Sequence, residues 1–186
     1  MNFILVDADY LDYVAFDLIV NFERMLARRV KTGDLCRWID CIALDGGLRP
    51  GHHQTEVAFV HRADTKGLKY FAPANFATEL HEQAFADNLG EFTMNSYAVE
   101  SIVSKSDFMK EIIQQMASQE NVERIMIMGN MDEDASSLKA AAQEASEKGK
   151  DVTLFTMQPI NGRGFSQEIL GYSLMAALGI ESSELT

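Results

Sequence analysis

The hydrophobic pattern of this chain changes period within its first dozen residues. NFILV (2–6) is a short continuous apolar run, the signature of a strand buried on both faces. Beyond it, apolar residues fall at Leu11, Val14, Ala15, Leu18, Ile19, Phe22, Met25 and Leu26. Steps of three and four predict an amphipathic helix of about five turns. Asp9 or Asp12 is placed to cap its start, and Gly33 follows its end.

The middle of the chain reads less evenly. RWIDCIALD (37–45) has the look of a second strand, GGLRPGHHQ supplies turn residues, and TEVAFVHR (55–62) reads as a third strand. Together they predict an antiparallel hairpin. Residues 63–90 show no sustained period beyond a short helix starting near Asn75, and the path of 63–105 stays open. EFTMNSYAV (91–99) alternates and predicts a strand.

The last third is regular again. SDFMKEIIQQMAS (106–118) predicts a helix and ERIMIMG (123–129) a buried strand. DASSLKAAAQEASEKG (134–149) is an Ala-rich helix stopped by Gly149, and DVTLFTM (151–157) is another buried strand. QPINGRG is a loop, and FSQEILGYSLMAALG (165–179) reads as a closing helix with Ser166 as its cap. The polar end of the chain, 180–186, is expected to fray. Strand–helix alternation at both ends implies right-handed crossovers. The expected fold is a single three-layer α/β/α domain over 1–186, with a mainly parallel sheet made mixed by the hairpin.

Composition narrows the function classes. The 186 residues are 47% hydrophobic, with a net charge of −12 and a pI near 4.7. That charge repels nucleic acid and anionic membrane at long range. The basic run ERMLARRVK (23–31) is read as a solvated helix face ending in cations that suit a helix C-terminus. Cys36 and Cys41 have no disulfide or zinc spacing and are expected to be reduced and buried, with the four histidines on the surface. No apolar run reaches membrane-spanning length and Met1 leads straight into a strand, so no membrane partner and a cytoplasmic location are expected.

Candidate chemistry sits where ligands bind in open α/β sheets, beyond the carboxyl ends of the strands. Three loops should meet there: DAD (7–9), GNMDED (129–134) and QPINGRGFS (158–166). Asp45 joins them if its strand runs parallel to the others. Crowded carboxylates raise one another's pKa, and Mg²⁺ or Mn²⁺ relieves that repulsion. The candidate metal ligands are therefore Asp7, Asp132, Asp134 and Asp45, with Asp7 and Asp9 as candidate catalytic acids. Arg163 and Gly164, ahead of the expected last helix, form a candidate anion site. The plainer reading makes Asp9, Asp12, Asp132 and Asp134 helix-start acids. Asp7, the last residue of the buried run, has no evident capping role.

Two resemblances attach to these residues. FILVDADYL and IMIMGNMDEDASSLKAAAQEASEKGKDVTLF resemble two blocks of PIN-like nucleases, the NYN branch above all. That resemblance implies a metal-dependent phosphodiesterase site on Asp7, Asp132 and Asp134, acting on a phosphate-containing ligand or a short RNA. Tyr10 stands where that family has Asn, and Met131 and Ala135 where it has Gly and an aromatic residue. The DxD of Asp7 and Asp9 is also similar to haloacid-dehalogenase-like phosphatases, which implies Asp7 as nucleophile; Ser or Thr after the second strand and a lysine are lacking. As a whole, the chain looks like members of a bacterial family of unknown function. Three functions follow: a divergent hydrolase of the nuclease type, a catalytically degenerate module that binds a partner or forms a homo-oligomer through its Met content and last helix, and a phosphatase.

Overall fold

The computed structural model describes residues 1–186. Its centre is β1 (Asn2–Asp7), in which all six residues are buried. Alternate side chains serve opposite faces of the sheet. Ile4 and Val6 enter one apolar cluster, and Phe3 and Leu5 enter another. Each fully buried aliphatic side chain here contributes about 1.5–3 kcal/mol.

β1 runs without a loop into α1 (Ala8–Leu26). A two-residue β2 (Gly33–Asp34) precedes α2 (Leu35–Asp45), and β3 is Gln54–Arg62. A short β4 (Phe71–Ala72) and a π-helical turn (Phe76–Leu80) lead into β5 (Gln83–Asp87) and β6 (Gly90–Val99). Then come α3 (Lys105–Ala117), β7 (Arg124–Met128), α4 (Ala135–Glu147), β8 (Asp151–Thr156), β9 (Ser166–Ile169) and α5 (Leu170–Ala177). The main sheet has seven strands in the order β5-β6-β3-β1-β7-β8-β9. Every neighbouring pair is parallel except β5 with β6. Residues of α1, α2 and α5 share the core on one face, and those of α3 and α4 share it on the other. The expected mixed, mainly parallel α/β/α architecture is therefore present. No helix is long and apolar enough to cross a membrane.

Several local expectations are corrected. Residues 37–45 form a helix, so there is no hairpin between 37 and 62, and the antiparallel pair lies at β5–β6. The expected last helix is divided: residues 166–169 form an edge strand on β8, and the helix begins at Leu170. Ser166 is thus a strand residue. α1 ends at a left-handed Ala27, ahead of Gly33. His61 is buried and stacks on Phe76 at 3.8 Å between ring centroids, which removes it from the surface. Cys36 and Cys41 are free and half-buried. The chain end is held by Arg28, which donates to both carboxylate oxygens of Glu184 at 2.8 Å.

Candidate functional site

β1, β3, β6, β7 and β8 all point their carboxyl ends the same way. The crevice beyond those ends is built mostly by the first turns of α1. Asp7 is the N-cap of that helix, and its Oδ1 accepts the Tyr10 amide at 3.1 Å. The expectation that Asp7 lacks a capping role is therefore corrected. Sequence periodicity hid the cap because the strand passes into the helix with no intervening loop.

Lys105, the first residue of α3, reaches across the sheet end into this turn. Its ammonium donates to Asp7 Oδ1 at 2.9 Å and to Asp9 Oδ2 at 3.0 Å. Asp9 Oδ2 also accepts the Arg62 amide at 2.9 Å. Asp12 accepts the Lys69 amide at 2.8 Å and the Tyr70 amide at 3.3 Å. Asp9 and Asp12 thus fasten the chain leaving β3 onto α1 and do not cap the helix.

Electrostatics follow from burial. Asp7 is inaccessible, and its Oδ2 has no partner. Burial pushes its carboxyl above the ordinary value, against the lowering effects of Lys105 and the Tyr10 amide. Burial draws Lys105 down, but its two carboxylate partners outweigh that and leave it above the ordinary lysine value. The ammonium is therefore charged near neutral pH.

The remaining candidate residues are dispersed. The Tyr10 hydroxyl donates to Asp132 Oδ2 at 3.1 Å, and burial, then Asp132, raises the Tyr10 pKa. Asn130 orders the GNMDED loop, its Oδ1 accepting the Asp132 and Glu133 amides at 3.1 and 3.2 Å. Asp134 occupies the N-cap position of α4 without a side-chain cap bond. Asp45 closes α2, so its condition for joining the crevice, a parallel strand, is not met. The glycines after it lie against Met126 and Arg124 in the first half of β7. Gly164 lies beside Gln143 and Ser146 near the end of α4, and a strand follows Arg163 instead of a helix N-terminus. The helix start on which the expected anion site of Arg163 and Gly164 rests lies further along, at Leu170. No three acidic, His or Cys side chains converge closely enough to hold a metal ion.

Beside Tyr10 opens a cavity of about 490 Å³ between α1 and the loops after β7 and β8. Its walls include Tyr13, Asp17, Asp132, Thr156 and Met157. Sequence reasoning missed Lys105, because a lone lysine opening a helix carries no local signal of a contact nearly a hundred residues away. It missed Thr156 for a similar reason: as the last residue of a buried strand it reads as core.

A family model described as a family of unknown function (DUF6621) matches residues 1–185. The chain belongs to that family. No curated protein and no solved structure matches the chain. The expected membership of a family of unknown function is met, and the finer likeness to PIN-like domains finds no support among the comparisons.

Proposed function

We propose that this chain is a catalytically degenerate binding domain, whose ligand enters the crevice at the carboxyl ends of β1, β7 and β8. The carrying observation is Lys105, with its ammonium 2.9 and 3.0 Å from Asp7 and Asp9. In a divergent PIN-like hydrolase, Asp7 would join Asp132 and Asp134 around Mg²⁺ or Mn²⁺. Here the positive charge beside Asp7 belongs to the protein itself. Asp132 is turned onto the Tyr10 hydroxyl. No three carboxylates converge around Asp7, and a divalent ion needs several oxygen ligands at roughly 2.0–2.6 Å.

The phosphatase reading gains one specific feature, because Lys105 supplies the lysine that the sequence lacked. It loses others. Asp7 Oδ1 is shared by the Tyr10 amide and Lys105, and Oδ2 is buried in a side chain with no solvent access. β3 ends in Val60, His61 and Arg62, with no hydroxyl residue.

Hydrolysis of a short single-stranded RNA and of an aryl phosphate, each with Mn²⁺ present, tests the proposal. The expected rate is the same for the native protein and for Asp7→Asn. Asn caps a helix as well as Asp does, so that variant keeps the cap of α1, and its melting curve reports whether loss of the Lys105 pair leaves it folded at the assay temperature. A native rate that falls with Asp7→Asn would restore a hydrolase.

A further inference from the structure

We propose that the crevice ligand is a small organic cation, an amine or guanidinium on a short apolar stem. The inference rests on the binding-domain reading above and names what that site takes. The only charged side chains lining the cavity are carboxylates, Asp17 and Asp132. The chain's net charge of −12 deepens the negative potential in such a cleft.

A polar side chain on the same wall also lacks a partner. Thr156 is 1% exposed, lines the cavity, and has an Oγ1 with no hydrogen-bond partner. Buried hydroxyls are ordinarily bonded, so an unpartnered one at the cavity wall leaves a hydrogen-bonding position for a ligand. Asp132 spends one oxygen on Tyr10 and keeps the other for the same purpose.

The rest of the lining suits the body of such a ligand. Tyr13 is 58% exposed and stacks on Tyr10 with centroids 6.0 Å apart. A ring face next to carboxylates favours a cation that is only partly desolvated. Met131, Met157 and Ile160 offer apolar contact for a stem. A volume of about 490 Å³ accommodates a small molecule.

Methyl NMR of methionine-labelled protein, titrated with agmatine, is the test. Met131 and Met157 line the cavity, whereas Met109, Met126 and Met128 are buried elsewhere and serve as internal controls. Agmatine is expected to shift Met131 and Met157 saturably and leave the controls in place. Pentanoate, of similar length and opposite charge, is expected to shift neither. Asp17→Asn with Asp132→Asn is expected to weaken agmatine about tenfold or more, since both carboxylate charges that face the cation are removed. Both residues are exposed, so an unchanged melting temperature certifies the fold. Absence of agmatine shifts, equal shifts with pentanoate, or undiminished binding to the double variant would each overturn the proposal. A blocked Gly-Arg-Gly peptide binding more tightly than agmatine would overturn the small-molecule assignment. None of these outcomes bears on hydrolysis, so failure here is distinct from failure of the binding-domain reading.

Discussion

Lys105 and Asp7 depend on each other for their place in the fold. Removing one partner of a buried pair leaves an uncompensated charge, which costs about 3–5 kcal/mol. Lys105→Met is therefore expected to destabilise the protein by about 3 kcal/mol in urea unfolding. Its pH dependence has a defined sign. Without the lysine, the buried Asp7 carboxyl rises further above its ordinary value, so the folded state binds the extra proton. Stability is then fully present below the ordinary carboxylate range and is lost as pH rises through the folded value. Lys105→Met with Asp7→Asn is expected to recover part of the loss. Equal stability of the native protein and Lys105→Met near neutral pH would mean that the pair is not formed. At this scale the sequence was only partly legible. The acids at 7, 9 and 12 were visible as a cluster, but their roles were not, because each partner comes from a distant segment: Lys105, the Arg62 amide, and the Lys69 and Tyr70 amides.

Helices and strands were legible where period and length agreed. α1, β3, β6, α3, β7, α4 and β8 all lie where apolar spacing placed them. Residues 37–45 misled because Trp38, Ile39 and Ile42 are strand-favouring types in a short run. Their spacing with Leu35 and Ala43 follows a helix, and Asp34 caps it by accepting the Arg37 amide at 3.1 Å. β9 misled in the other direction, since Phe165 and Ile169 stand one helical turn apart. Two predictions belong here. Asp40 in α2 has its carboxyl pushed up to about 7 by burial and by Asp87, with Asp34 adding to the effect. The folded value exceeds the unfolded one, so this acid contributes stability below about pH 4 that is lost as pH rises through about 7. Asp40→Asn is expected to raise the melting temperature at pH 8 and flatten its fall between pH 4 and 7, measured by thermal denaturation across that range. The second concerns Gly90, which opens β6 with φ of +107°, where a Cβ would collide with the His53 carbonyl. Gly90→Ala is expected to lower unfolding free energy by about 2 kcal/mol or more. A neutral effect in a urea titration would contradict the close approach of these two segments.

Across the whole molecule, parallel strands collect their carboxyl ends at one edge, and that edge carries the functional account. The general position of the crevice was legible, because alternating strands and helices dictate it. Membership in a family of unknown function, DUF6621, is consistent with an α/β scaffold whose chemistry must be argued from its own side chains. The central claim is that Lys105 supplies the positive charge that a hydrolase of this layout would take from a metal ion. Calorimetric titration of the native protein with Mn²⁺ tests that claim most directly, with Asp7→Asn titrated alongside. The account predicts no saturable heat from either protein at millimolar Mn²⁺. Saturable binding to the native protein that disappears in Asp7→Asn would contradict it, since the metal would then be displacing Lys105 from the carboxylates.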